Sequence, residues 1–164
     1  MIDLSKYCRI EKDYVFFLKG PLSQWWKSPF EENGISYLNC EQYMMYQKAK
    51  LFKDDGIAEK ILNAKTPVEH KYLGRLVGNF NEKVWGDFKF KIVCAGNLLK
   101  FTQNEELKEV LKNTGERILV EANEEDRIWG IGMCADDENI FKTELWGQNL
   151  LGKALMKVRN NIKS

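Results

Sequence analysis

One stretch of the sequence, residues 40–52, carries side chains whose types and spacing suit acid–base or covalent chemistry. On a helix turning about 100° per residue, Glu41 set at zero puts Lys48 at about 340°, Phe52 at about 20°, Met45 at about 40° and Met44 at about 300°. Lys50 and Lys53 fall at about 180° and about 120°. Lys48 is therefore the lysine that shares a face with Glu41 and three large apolar side chains. Desolvation disfavours an ammonium, so a lysine placed there tends toward the neutral amine. A neutral amine attacks carbonyl-like carbon. Seven residues of rise separate Glu41 from Lys48 by about 10 Å, too far for a direct ion pair. A sugar bound between them would touch both. The competing structural role has Lys48 snorkelling from a packed face and Glu41 favouring the helix N-terminus.

A second group follows Asp126. Trp129-Gly130-Ile131-Gly132 lets backbone approach a ligand and offers an aromatic surface to a base or sugar. Asp126 suits ribose hydroxyls or acid–base work. A dinucleotide fingerprint is excluded, since the third glycine and the strand–helix context are missing. The structural alternative is a turn whose Trp belongs to the core. A third group, Trp146-Gly147-Gln148-Asn149, leads into a helix that Asn149 is placed to cap. Such an entrance suits phosphate; ordinary capping is the plainer role. Trp85 is either core or a stacking platform. Arg75, after Gly74, either pairs with phosphate or is solvated.

These groups must be positioned by a chain of 164 residues, a length that suggests one domain over 1–164. Lys+Arg is 25 and Asp+Glu is 24, a net charge of +1. That balance excludes a generic basic nucleic-acid coat and an acidic disordered chain. Cys8, Cys40, Cys94 and Cys134 form no C-x-x-C pair, and His70 is the single histidine. No zinc site is expected, and the helical setting of His70 argues against a triad. Unpatterned thiols fit a reducing compartment, and the N-terminus shows no signal-peptide pattern, so the expected location is cytoplasmic. The longest apolar run, residues 15–18, is far too short to span a bilayer.

Strands are expected at 14–18 and 35–38, the latter after an Asn33-Gly34 turn. Asn39 with Gln42 reads as a capping box opening the helix of 40–52. Helices follow at 57–63, from Thr66-Pro67-Val68-Glu69 to about Gly78, and from Asn81 to about Leu99. The last of these carries a stripe of Val84, Trp85, Phe88, Ile92, Ala95 and Leu99. Asn104 should cap a helix ending at Thr114-Gly115. Residues 117–122 and 127–129 read as strand-like, 130–139 as loop. A final helix buries Leu151, Ala154, Leu155, Val158 and Ile162. The expected class is a compact, helix-rich α+β single domain with a small β-sheet.

The pieces also occur in a specific order: Ser23-Gln24-Trp25, Cys40-Glu41-Gln42-Tyr43 with Lys48, Gly74-Arg75, Trp85, Asp126 with Trp129-Gly130, then Trp146-Gly147-Gln148-Asn149-Leu150-Leu151-Gly152 with Val158-Arg159. This set resembles the YbiA-like NADAR superfamily, the NAD- and ADP-ribose-associated proteins. The resemblance spans most of the chain and implies the YbiA-like fold. It also implies an N-glycosidase that breaks a ribosyl C–N bond without metal or cofactor. The implied catalytic residues are Lys48, Glu41 and Asp126. The implied substrate contacts are Ser23, Gln24, Trp25, Arg75, Trp85, Trp129, Gly130, Gly132 and Asn149. Gln24-Trp25 departs from the Asn-Phe many members carry. The implied substrate is an ADP-ribosylated guanine, in nucleic acid or nucleotide, or a ribosylamino-pyrimidine phosphate that precedes riboflavin. No membrane and no stable protein partner is implied. A non-catalytic module that reads ADP-ribose or NAD is the alternative from another class.

Overall fold

The computed structural model describes residues 1–163. In chain order its elements are β1 (Arg9–Ile10), β2 (Tyr14–Phe17), β3 (Phe30–Glu32), β4 (Ile35–Tyr37), α1 (Cys40–Leu51), α2 (Asp55–Asn63), α3 (Pro67–Arg75), α4 (Glu82–Gln103), α5 (Glu105–Asn113), β5 (Ile118–Glu121) and α6 (Leu150–Lys163). This is the helix-rich α+β class expected from sequence. Residues 24–104 form one compact unit, and residues 1–23 with 105–163 form another. No helix among the described residues is long and apolar enough to cross a membrane.

The 24–104 unit is built on α1. Asn39 caps it by accepting the Gln42 backbone N–H at 2.8 Å. The Gln42 side chain does not return to the cap residue, as a capping box would have it. Its Oε1 accepts the Leu38 N–H at 2.7 Å and its Nε2 donates to the Ile61 carbonyl at 3.0 Å, tying α1 to α2. His70 is fully buried and structural: one ring nitrogen lies 3.0 Å from the Ala64 carbonyl and the other 3.4 Å from the Asn39 amide. β3 and β4 form a hairpin across Asn33-Gly34, both at positive φ, as a two-residue turn requires. Phe30, at the start of β3, stacks on Tyr37 at 5.6 Å between centroids and packs with Tyr43.

Two helices differ from expectation. α3 ends at Arg75, three residues early. α4 runs four residues further, to Gln103, and its deeply buried face is Val93, Gly96, Asn97, Lys100 and Phe101. Ile92, Ala95 and Leu99 are only half-buried against the aromatic cluster, and Phe88 is exposed. The apolar stripe misled because the chain buries an Asn and a Lys on that helix, residues a hydrophobicity count assigns to solvent.

In the other unit, β2 is central, antiparallel to β1 and parallel to β5. Phe16 and Val120 meet Ala122, Ile131, Met133 and Ile140 in its core. α6 presents Leu151, Ala154, Leu155 and Val158 as expected, while Ile162 is half-buried. Buried Arg159 donates to Thr114 Oγ1 and to the Arg117 carbonyl, both at 2.8 Å, fixing the entry to β5. Residues 127–129 are not a strand: Asp126 Oδ1 accepts the N–H groups of Ile128 and Trp129, each at 2.8 Å, folding them into a turn. Asn104 gives no cap bond to α5; its amide donates to the Lys100 carbonyl at 2.8 Å instead.

α6 approaches β5 so closely at Gly152 that a Cβ there would run into the Leu119 carbonyl and the Asn149 amide. Gly152→Ala is expected to cost about 2–3 kcal/mol, because backbone must move. A thermal melt within a degree of the parent would show that α6 can shift freely.

Candidate active site

α1 brings Glu41 and Lys48 to one face, as the sequence reading required. Met44, Met45 and Phe52 are buried on it, whereas Lys50 is exposed and pairs with Asp55 at 2.7 Å. Glu41, in the first turn of α1, is 8% exposed. Burial pushes its carboxyl up to about 7, against the pull of Lys71, Lys48 and Arg75 and a hydrogen bond from the Trp25 side chain. Lys71 comes from α3 and holds its ammonium 6.0 Å from the centre of the Trp25 ring.

Lys48 is half-buried. Its Nζ donates to the Gly74 carbonyl at 2.9 Å and lies 4.7 Å from the Phe80 ring centre and 5.6 Å from that of Trp85. Desolvation holds its pKa below the usual lysine range, Glu41 opposes this and Arg75 adds to it. The carbonyl is available because Gly74 lies in the last turn of α3, and the Gly78 N–H that would meet it goes to Asp54; Gly74 itself packs against Met45, where a Cβ would collide with the thioether. Phe80 stands edge-on to Phe52 at 5.3 Å and is carried by the loop between α3 and α4. That loop is fastened by Asp54, whose Oδ2 accepts the Gly78 N–H at 2.8 Å while Oδ1 caps α2.

Glu41, Lys48, Trp25, Arg75 and Trp85 therefore belong to one neighbourhood of the 24–104 unit. Gln24 joins it through its backbone carbonyl, which accepts the Glu41 N–H at 3.1 Å. Its side-chain Oε1 accepts from the Asn97 amide at 2.8 Å. Sequence reasoning missed Lys71, Phe80 and Asn97. Lys71 was legible as one helical turn before Arg75; Phe80 and Asn97 are revealed by folding alone. Lys100 was missed too: it is fully buried, and burial lowers its pKa to about 8.

Ser23, Asp126, Trp129, Gly130, Gly132 and Asn149 belong to the other unit. Here the second and third sequence groups are bonded to one another. Backbone N–H groups of residues 147–151 donate to the carbonyls of Ile131, Arg127, Gly130, Ile128 and Trp129, at 2.7–3.1 Å. Gly147 permits this, since a Cβ there would run into the Arg127 backbone, and a Cβ at Gly130 would come within 2.9 Å of the Asp126 and Glu121 carbonyls. Asn149 does not cap α6. It has φ 51°, and its amide accepts from the Glu121 N–H at 3.0 Å and donates to the Leu119 carbonyl at 2.9 Å, bracing β5. Asp126 uses one carboxylate oxygen on its own turn, and the other is the one able to meet a hydroxyl. Ser23 is half-buried, with its N–H on the Gly20 carbonyl. Among the described residues no group of three or more His, Cys, Asp or Glu is placed to hold a metal ion.

The chain is 47% identical over 143 residues to the N-glycosidase R617 of Acanthamoeba polyphaga mimivirus, covering 84% of each. It is 33% identical over 142 residues to the N-glycosidase Npun_R5314 of Nostoc punctiforme, covering 84% of this chain and 85% of that one. It shares its fold with the NMR structure of the Escherichia coli protein YbiA, at a TM-score of 0.76 and 25% identity, covering 94% of this chain and 88% of that one. The profile of the NADAR domain matches residues 15–163, through both units. By these matches, the chain belongs to the NADAR domain family.

Proposed function

We propose that this chain is a hydrolase of N-glycosidic bonds, acting on a phosphorylated ribosyl substrate at the anomeric carbon. The relatives named N-glycosidase support the reaction class. The observation that carries the chemistry is the pairing on one helix face of a lysine held among rings and a carbonyl with a buried carboxylate poised near neutrality. Lys71, Arg75 and Lys48 around Glu41 suit a substrate bearing phosphate. Exposed Trp25 and half-buried Trp85 offer faces to a base or sugar. ADP-ribosylated guanine and a ribosylamino-pyrimidine phosphate both meet this description. Asp126 and Trp129 are proposed, for their residue types, as hydroxyl and base contacts.

The C–N bond breaks with its electron pair leaving on the base nitrogen, which must gain a proton. Glu41, with a carboxyl near 7, holds one to give. As a carboxylate it opposes the positive charge that builds at the anomeric carbon. In the covalent route the Lys48 amine bonds to that carbon, the base leaves as its N–H form, and the sugar ring opens to an imine. Water then releases the free sugar and returns the amine. In the non-covalent route Lys48 remains an ammonium and steadies developing charge.

Incubation with an ADP-ribosylated guanine oligonucleotide and with a ribosylamino-pyrimidine phosphate, read by mass spectrometry, is expected to release free base from one of them. Retention without release would make the chain a reader. Lys48→Met is expected to fold and to lose at least 100-fold in turnover, roughly the contribution of one essential catalytic group. Lys50→Met should stay within about twofold, a margin under 0.5 kcal/mol for an exposed residue. Borohydride during turnover should fix a ribose-derived mass on Lys48 under the covalent route alone. An active Lys48→Met protein would defeat both routes.

A carboxyl raised from 4.5 to about 7 favours the fold when protonated, so its contribution is present below pH 4.5 and is lost as pH rises through 7. Glu41→Gln is therefore expected to abolish turnover while stabilising the protein at pH 8, by on the order of 3 kcal/mol. The gain should shrink toward pH 4.5, and a lower melting temperature at pH 8 would contradict it.

A further inference from the structure

Trp25 gives Glu41 a hydrogen bond from an irregular segment and is itself 42% exposed. A side chain so placed holds its direction only if the backbone beneath it is fixed. Beneath it lies Asn97 of α4, which is fully buried. Its amide N–H groups donate to Gln24 Oε1 at 2.8 Å and to the Val93 carbonyl at 2.9 Å, and its Oδ1 accepts from the Cys40 thiol at 3.6 Å. Gln24 precedes Trp25 directly and takes the Glu41 backbone N–H on its own carbonyl at 3.1 Å. The Gln24 amide nitrogen is buried and has no hydrogen-bond partner among the described residues, so its tether is the Asn97 contact. Asn is a poor residue for a helix interior, and a buried amide costs free energy unless its bonds are made. Leu would pack the same space without that cost.

We propose that Asn97 is a positioning residue: through Gln24 it fixes the segment that aims the Trp25 indole at the Glu41 carboxylate. It touches neither Glu41 nor the reacting atoms. The proposal rests on the reading of Glu41 as the reactive carboxylate. The charged groups facing Glu41 are Lys48 on its own helix and Lys71 and Arg75 on α3. The neighbouring Cys40 thiol is pushed up to about 12 by burial and stays protonated. All of these remain when Asn97 or Gln24 is changed, so movement of the Glu41 titration reports the indole.

The experiment follows the Glu41 carboxyl carbon by NMR across pH in the full chain, assigned by its disappearance in Glu41→Gln. Trp25→Phe removes the N–H, so the Glu41 midpoint should rise. Asn97→Leu and Gln24→Met should raise it in the same direction, by roughly half a pH unit or more. In the Trp25→Phe background Asn97→Leu should add nothing, since both act through one contact. An Asn97→Leu protein that melts lower with an unmoved midpoint would overturn the proposal and leave Asn97 as core. Additive shifts would overturn it as well. If Asn97→Leu does not fold, Gln24→Met carries the same comparison, and its unmoved midpoint is equally fatal. The titration needs no turnover. Failure of the glycosidase reading, seen as no product from either substrate, is thereby distinguished from failure of the positioning role.

Discussion

Keeping a carboxyl group out of water is expensive, and the 24–104 unit is organised around one such group. Glu41 sits in the first turn of α1, where the helix dipole and three nearby cations favour its charge. Burial still outweighs them and holds the group near neutrality. That outcome requires a helix entrance sealed from solvent and unable to fray. Asn39 and Gln42 supply the seal, with every polar atom committed to a backbone group or to His70. A frayed first turn would admit water, return the carboxyl to its ordinary range and leave it ionised near neutral pH.

The other unit answers a different constraint, the close approach of backbone to backbone. Its Gly-rich sequences look like ligand cradles when read one at a time. Folded, they lie side by side, and several of their N–H groups are spent on each other. Gly130, Gly147 and Gly152 are small because a neighbouring carbonyl already occupies the place of a Cβ. Rigidity of this kind holds the half-buried Trp129 indole and the Asp126 side chain on a fixed backbone.

The elements with strong local signals were legible. Asn39, Thr66 and Asn81 each begin a helix with the side-chain cap their type suggests. The turn at Asn33-Gly34, the face shared by Glu41 and Lys48, and the order of the family's residues were also present in the sequence. What failed had a physical cause in each case. Asn149 looked like a cap because its neighbours form a helix, yet its amide serves a strand distant in sequence. The buried face of α4 was hidden because Asn97 and Lys100 are polar, and only tertiary partners make their burial tolerable. Lys71 could be placed one turn before Arg75, but Phe80 could not be assigned, because its contact with Lys48 depends on how the loop after α3 packs.

The surroundings of Lys48 come from three separate elements: a carbonyl at the end of α3, a ring on the following loop and a ring on α4. Connecting loops ordinarily absorb insertions and deletions at little cost. The loop from α3 to α4 is denied that freedom, because Asp54 grips Gly78 and Phe80 closes over the amine two residues on. Its length is thus a chemical parameter. One residue more or less would change the polarity around Lys48, and with it the balance between its amine and ammonium forms, without altering Lys48 or Glu41 themselves.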